Sequence, residues 1–162
     1  PVTGVGSTTV SNAPQFAARE HVLTNIADTH AGNAASRFDI HLARTDQLRG
    51  GYVPDAWSMT TLHAGDRVLG GLPGQSSYYT SAATLDAASG SRVNFFQSLQ
   101  VKPHPEFGYR PKIGEYEVVR STNVPTGNSA ANSAFGAGNG EQFFIRDHQN
   151  SLRLIREIPL ER

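Results

Sequence analysis

The first third of the chain carries a helical hydrophobic pattern behind a polar start. Residues 1–13 are small and polar, which predicts a flexible tail or linker. Apolar side chains then recur at helical spacing and predict a helix over residues 14–30. Residues 37–49 fit either a strand or a short helix that ends at Gly50-Gly51, and we expect some helix there.

The pattern changes after residue 51, where short runs of β-branched and aromatic residues are separated by glycine and proline. These runs predict strands at residues 67–69, 77–80, 95–101, 113–120, 142–145 and 152–158, and one small helix within 82–92. No helical pattern between the runs is long enough for repeated crossovers, so we expect antiparallel pairing. The predicted fold class is α+β, with a helical front part at 14–51 and a β-rich core at 52–162.

Composition narrows the functional classes. The length of 162 residues fits one domain, predicted over 14–162, and the balance of 14 basic and 14 acidic side chains argues against a nucleic-acid partner. The lack of cysteine excludes disulfides, thiolate nucleophiles and thiolate metal sites. The six histidines show no metal-binding spacing, so no metal is expected. No apolar run reaches the roughly 18–20 residues of a membrane span, so no membrane-spanning segment is expected.

The segment LHAGDRVLGGLPGQSSYYTS, residues 62–81, joins one cation to a group of hydroxyls and aromatic rings. Arg67 lies in a short apolar run, and Ser77, Tyr78 and Tyr79 follow a glycine–proline turn. A guanidinium is a planar fork that suits phosphate oxygens, but it also forms surface salt bridges with carboxylates. The residues alone leave open whether these side chains bind a ligand or serve the core and the surface.

A second segment, NSAANSAFGAGNGEQFFIRD at residues 128–147, is a glycine-rich loop that leads into a strand. Glycine permits positive φ angles and close approach of the backbone to a ligand. The loop delivers Glu141 and Gln142 to the start of a β-prone run, where a strand holds a polar side chain rigidly. Successive strand residues face opposite ways, so Glu141 is expected to face away from Gln142. A plain surface loop is the alternative interpretation.

Together the two segments resemble the ADP-ribosyltransferase-like NAD enzymes, and more narrowly the tuberculosis necrotizing toxin family of NAD glycohydrolases. The resemblance covers residues 62–145, and residues 103–114 are not part of the family pattern. The matching pieces are Asp66-Arg67, Ser76-Ser77-Tyr78, Tyr116-Glu117-Val118, Val124, Gly127, Ala130 or Ala131, Phe135-Gly136, Gly138-Asn139-Gly140 and Gln142-Phe143. The resemblance implies a split antiparallel sheet of the ADP-ribosyltransferase-like type.

The resemblance also implies roles for individual residues. Arg67 would grip the diphosphate of NAD, and Gln142 would contact the ribose hydroxyls and help to place the attacking water. Tyr78 or Tyr79 would pack against the nicotinamide or its ribose, and Ser77 would hydrogen-bond the carboxamide or the ribose. The remaining substrate contacts implied are Phe135, Gly138, Gly140 and Glu141. Arg67 and Gln142 are therefore expected to face each other across one groove.

The expected function is an NAD(P)+ glycohydrolase toxin domain, with NAD or NADP as substrate and no cofactor. As implied by the resemblance, the domain would be the terminal part of a larger bacterial toxin, secreted or delivered into the target-cell cytoplasm, and a cognate immunity protein would block its cleft. An ADP-ribosyltransferase is the first alternative, favoured if Glu141 faces the site. A non-enzymatic β-rich binding module is the second, and it predicts that neither Arg67 nor Gln142 borders a cleft.

Overall fold

The computed structural model describes residues 23–72 and 76–162, with side chains from residue 36 onward. The helices are α1 (Leu23–Arg49), α2 (Ala82–Ala87), α3 (Arg92–Ser98) and α4 (His148–Ser151). The strands are β1 (Ser58–Leu62), β2 (Arg67–Gly70), β3 (Tyr78–Thr80), β4 (Lys112–Val118), β5 (Thr122–Asn128), β6 (Glu141–Phe144) and β7 (Leu152–Pro159). No helix within these ranges is both long enough and apolar enough to cross a membrane.

Helix α1 runs through both segments that the sequence pattern separated. The helix predicted at 14–30 is confirmed from residue 23 on, whereas residues 14–22 and the predicted tail at 1–13 lie outside the described residues. The strand alternative for residues 37–49 is wrong, because the same helix continues to Arg49. It ends where expected, with Gly51 at a φ of 81°, a left-handed conformation that glycine adopts at little cost.

The strand predicted at residues 95–101 is also wrong, because this stretch belongs mostly to helix α3. The side chain of Ser91 accepts a hydrogen bond from the helix backbone and caps its start. Phe95, Phe96 and Leu99 are buried together at helical spacing. The other five predicted strands and the small helix α2 are confirmed, while β1 and β5 were not predicted.

All seven described strands pair antiparallel in one sheet of order β1-β5-β6-β3-β2-β4-β7. The predicted antiparallel pairing is confirmed, but the split of the sheet is not found, because β3 and β6 join its two halves. That junction is narrow: it consists of the pairs Tyr78–Phe144 and Tyr79–Phe143.

The sheet buries a hydrophobic cluster on each face. One cluster comes mainly from the strands and comprises Leu62, Val68, Tyr79, Tyr116, Val118, Val124, Phe143 and Ile145. The other packs helices α2 and α3 against the sheet and comprises Leu69, Ala88, Phe95, Phe96, Leu99, Ile113 and Leu160. The candidate site opens beside this second cluster.

Candidate functional site

A cleft of about 560 Å³ opens between the second face of the sheet, helix α3, the end of α1 and the segment 101–110. Its volume lies within the range of small-molecule sites, about 300–1,000 Å³. The apolar wall comes from Leu69, Phe95, Phe96, Leu99 and Ile113. Polar side chains at the wall come from α1, from the sheet and from segment 101–110. The cleft therefore combines an apolar floor with a polar rim, as ligand sites commonly do.

Gln142 lines this cleft at the start of β6 and is 7% exposed. Its Nε2 donates a hydrogen bond to the carbonyl oxygen of Leu99 at 3.1 Å, which fixes the orientation of the amide. Its Oε1 is buried and has no hydrogen-bond partner within the described part of the chain. Buried polar atoms are nearly always paired, so this unpaired oxygen is an exception in the wall of the cleft.

The ring of Tyr78 also lines the cleft. Its hydroxyl donates to Asp46 Oδ2 on α1 at 2.8 Å, with the Ala43 carbonyl oxygen as a second acceptor at 3.2 Å. Burial, and then the hydrogen bond to Asp46, raise the pKa of the Tyr78 hydroxyl. Tyr78 therefore presents an aromatic surface to the cleft and does not supply a base.

Tyr79 and Glu141 differ from Tyr78 and Gln142 in how they lie relative to the cleft. Tyr79 borders the cleft, but its ring packs in the opposite core, edge-on to Tyr116 at 5.4 Å between ring centroids. Burial raises the pKa of the Tyr79 hydroxyl. Glu141 is exposed and is not among the cleft residues, in line with the prediction that it faces away from Gln142.

The expectation that Arg67 and Gln142 face each other across one groove is wrong, because Arg67 does not line the cleft. Its Nη1 lies 3.3 Å from Glu115 Oε2, and its side chain is half exposed. Hydrogen bonding to Arg156, and secondarily to Arg67, lowers the pKa of Glu115. The strand register explains the displacement: Leu69 on β2 is level with Thr80 at the cleft, and Arg67 lies two residues further along.

Ser77 and Phe135 lie beside the cleft rather than in its wall. Ser77 lines a smaller neighbouring pocket of about 350 Å³ under α1, and its carbonyl oxygen accepts a hydrogen bond from Ile145 N at 2.7 Å. Phe135 packs on Tyr52 at 5.4 Å between ring centroids, and its ring lies 5.5 Å from Lys102 Nζ. Tyr52 and Lys102 line the cleft themselves, so Phe135 supports the wall from behind.

The glycine-rich loop is bound to helix α3 and does not line the cleft. Gly138 N donates to the carbonyl oxygen of residue 97 at 3.1 Å, and Gly140 N donates to that of residue 98 at 2.8 Å. The side-chain amide of Gln142 donates to the carbonyl oxygen of residue 99. These three carbonyls lie at the C-terminal end of α3, where helix carbonyls lack partners inside the helix. The loop therefore positions Gln142, and Gly138 and Gly140 act on the site indirectly.

Comparison with known proteins identifies the family of this chain. The family model of the Rhs1 C-terminal toxin domain matches residues 35–147, well over half of the chain. The chain belongs to this family. The toxin class expected from the sequence is thereby confirmed, and the family name describes the C-terminal part of a larger toxin.

One solved structure supports the family assignment. The structure of Rhs1-CT in complex with its cognate immunity protein RhsI1 has 45% sequence identity, covers 67% of this chain and 85% of that chain, and superposes with a TM-score of 0.64. The structure of Tse6 in complex with Tsi6 matches at 17% identity over 74% of this chain and 96% of that chain, with a TM-score of 0.39. No curated protein matches the sequence.

In this Rhs1-type toxin domain several cleft residues were not predicted. Gln47 on α1 and Gln100 after α3 are buried polar side chains in the wall, and Lys102 and Arg110 bring positive charge to it. Gln100 joins separate segments, since its Oε1 accepts from Val53 N at 2.7 Å and its Nε2 donates to the Ala130 carbonyl oxygen at 3.1 Å. In sequence each is a lone polar residue without a motif, so no pattern marked them.

No group of three or more metal-ligating side chains occurs within 23–72 and 76–162. Several kinds of group line the toxin cleft. These are an oriented amide, an aromatic ring, an apolar floor and basic side chains. Such a set can bury a flat heterocycle, hold hydroxyls by hydrogen bonds and bind an anion.

Proposed function

We propose that this toxin domain is an NAD(P)+ glycohydrolase, which cleaves the bond between nicotinamide and ribose to give nicotinamide and ADP-ribose and so depletes the NAD of the target cell. The observation that carries the proposal is the Gln142 amide, which is buried at the cleft, anchored through Nε2 to Leu99 and unpartnered at Oε1. The sequence resemblance to NAD glycohydrolase toxins assigns catalysis to this same residue.

The reaction needs little acid–base catalysis by the protein. Water attacks the anomeric carbon of the ribose, the electrons of the carbon–nitrogen bond pass to the nicotinamide, and the proton of the water is released. The leaving group becomes neutral as it departs, so it needs no general acid. The enzyme must hold the ribose while it gains oxocarbenium character, as in other sugar hydrolyses. Gln142 Oε1 can accept a hydrogen bond from a ribose hydroxyl or from the attacking water.

The rest of the cleft suits the nicotinamide end of the substrate. Tyr78 offers a ring in the wall, and Phe95 and Phe96 belong to the apolar floor on which a flat heterocycle can be buried. NAD is the substrate, and the proposal needs no further cofactor.

The position of Glu141 bears on the choice between hydrolysis and transfer. ADP-ribosyl transfer needs a base that activates the acceptor, and Glu141 is exposed outside the cleft. A neutral Gln142 at the site favours water as the acceptor. The alternative of a non-enzymatic binding module predicted that neither Arg67 nor Gln142 borders a cleft. Arg67 does not line this cleft, whereas Gln142 does.

Delivery and protection belong to the same proposal. The domain acts between competing bacteria and reaches the cytoplasm of the target cell, where NAD is available. The 45% identical neighbour was solved in complex with its cognate immunity protein, and we expect an immunity protein that blocks the cleft of this domain as well.

The test is chromatography of NAD and of NADP after incubation with the purified domain. We expect free nicotinamide and ADP-ribose, or its phosphorylated form, and none with the same protein after unfolding by heat. Absence of nicotinamide at micromolar protein would contradict the proposal. Incubation of labelled NAD with cell lysate separates the alternatives, because transfer leaves the label on macromolecules and hydrolysis leaves it on free ADP-ribose.

A further inference from the structure

We propose that Lys102 and Arg110 hold the phosphate groups of the dinucleotide, in place of Arg67. Both lie at the ends of the segment 102–110, called here the basic loop, and both line the cleft. That the phosphates belong to NAD rests on the proposed function. That an anionic group binds here rests on the geometry alone.

The charges at the cleft all have one sign. Two charged side chains of the basic loop reach the lining, Lys102 and Arg110, and none of the described lining residues carries a carboxylate. The acidic residue of the loop, Glu106, is exposed and lies outside the lining. A concave site with low-dielectric walls and charges of one sign attracts counter-ions. The cleft is therefore built to receive an anion.

Arg110 and Lys102 are both free to bind one. Arg110 Nη1 donates to the carbonyl oxygen of Leu72 at 3.1 Å, a contact that orients the guanidinium and leaves further N–H groups for a ligand. Lys102 Nζ lies 5.5 Å from the ring of Phe135, and within the described chain neither cation pairs with a carboxylate. Arg67, by contrast, is engaged by Glu115.

The basic loop is folded on itself, so the backbone between its two cations is ordered before a ligand arrives. His104 and Gly108 exchange two backbone hydrogen bonds at 3.0 and 2.9 Å. His104 Nδ1 accepts the N–H groups of Glu106 and Phe107, each at 3.1 Å, which places the proton of the ring on Nε2. Phe107 stacks on the same imidazole at 4.8 Å between centroids. Preorganised donors lose less entropy on binding than mobile ones.

The test measures binding of ADP, a diphosphate that has no nicotinamide bond to cleave, by titration calorimetry at low salt. Lys102→Gln and Arg110→Gln are each expected to weaken ADP binding about tenfold, the scale of one lost charge-assisted contact. Lys112→Gln and Arg120→Gln are the matched controls, since these cations pair with Glu157 and Asp147 away from the cleft. Adenosine, which lacks phosphate, should bind the variants and the parent equally.

The kinetic counterpart is a higher KM for NAD with kcat within about twofold, because the phosphates are remote from the bond that breaks. Three results overturn the inference: no ADP binding by the parent protein, unchanged ADP affinity in both variants, or a loss confined to Arg67→Gln. If the parent binds ADP, the two variants lose it and NAD is never cleaved, the proposed function fails while the anion site stands. If Lys102→Gln and Arg110→Gln cleave NAD with an unchanged KM and bind ADP with unchanged affinity, the anion site fails while the proposed function stands.

Discussion

At the scale of single residues, Gln142 combines a structural contact with the functional contact that we propose. Its amide nitrogen bonds Leu99 at the end of α3, and its amide oxygen lies buried and unpartnered at the cleft. Removing the side chain therefore removes both contacts at once. An amide held from one side cannot rotate freely, which is what a catalytic hydrogen bond requires.

We expect Gln142→Ala to lower kcat for NAD by about 10²–10³-fold, the scale of one lost preorganised transition-state contact. It should also lower the free energy of unfolding by about 1 kcal/mol, because the Leu99 carbonyl loses its partner. Steady-state kinetics and urea unfolding check the two effects. Gln149→Ala, at an exposed position on α4, is the control and should change neither. Unchanged kcat in Gln142→Ala would remove the residue from the mechanism.

Asp55 is a second buried polar residue, fully enclosed between α1 and the glycine-rich loop. Its Oδ1 accepts from Ala130 N at 3.0 Å, and its own N–H donates to Gln47 Oε1 at 2.9 Å. Burial raises the pKa of the Asp55 carboxyl, and the hydrogen bond from Ala130 opposes this only in part. The folded protein therefore keeps this proton at a pH where the unfolded chain has lost it.

A raised folded-state pKa gives stability that is complete below the usual Asp pKa, about 4, and is lost as the pH rises through the folded value. We expect the free energy of unfolding of Asp55→Asn to rise relative to the parent between pH 4 and pH 8. Urea unfolding across that range measures the difference, and a constant offset between the two proteins is immaterial. Asp86→Asn, exposed on α2, should show no such trend. A flat difference for Asp55→Asn would contradict the assignment.

At the scale of elements, the glycine-rich loop is a spacer that docks on helix α3. Gly140 is buried, and a Cβ on it would lie 2.8 Å from the Ser98 carbonyl oxygen and 2.9 Å from Leu99 Cδ2. Gly138 has a φ of 73°, which favours glycine. The glycines allow the loop and the helix to approach each other, and Gln142 follows two residues after Gly140.

We expect Gly140→Ala to cost about 1–3 kcal/mol of stability, the usual range for overpacking. Activity should fall with it, because the loop must move and Gln142 moves with it. Thermal unfolding and NAD kinetics measure the two effects. Ser133→Ala, exposed in the same loop, is the control. A stable and fully active Gly140→Ala would show that the contact between loop and helix is dispensable.

The sequence predicted helices and strands well where the local residue pattern determines the secondary structure, and poorly where tertiary contacts determine it. The end of α1 at Gly50-Gly51 and five strands follow from turn residues and β-prone runs. Strand β5 was not predicted because Pro125 lies within it, and proline argues against a central strand. The structure accommodates it, since pairing with β6 begins at Thr126, one residue later. For α3, aromatic content outweighed the helical spacing of Phe95, Phe96 and Leu99.

The candidate site was predicted in part. Gln142 and Tyr78 line the cleft as expected, since strand alternation and family resemblance both carry that information. Arg67 does not, because an arginine motif says nothing about which carboxylate a neighbouring strand brings beside it. Lys102 and Arg110 lie in a loop that is not part of the family pattern, and the conformation of this loop brings them to the cleft. Hydrophobic periodicity in the sequence does not predict the conformation of a loop.

At the scale of the whole molecule, helix α1 is part of the site rather than a separate front. Gln47 lines the cleft, Asp46 holds the Tyr78 hydroxyl at 2.8 Å, and Asp39 pairs with Arg146 at 2.8 Å. The helical front part predicted at 14–51 therefore contributes to the same cleft as the β-rich core predicted at 52–162. The second half of α1 supplies Gln47 to the wall and is tied to the sheet beside it through Asp46 and Asp39.

A shortened chain is the direct test of that role. A chain that begins at residue 35, where the family match begins, keeps these contacts and is expected to fold and to cleave NAD. A chain that begins at residue 51 loses them and should unfold at lower temperature and lose activity. Circular dichroism melting and nicotinamide release compare the two. Full activity of the shorter chain would mean that the sheet and α3 suffice.

The tie between α1 and the cleft restricts where a protease can act. A toxin domain that is released from a larger polypeptide by proteolysis must be cut at a position that leaves the domain intact. Because Gln47 lines the cleft and Asp46 and Asp39 contact the sheet beside it, we expect a cut between Asp39 and Tyr52 to abolish activity. We therefore expect any cut that releases an active toxin domain to fall upstream of Asp39.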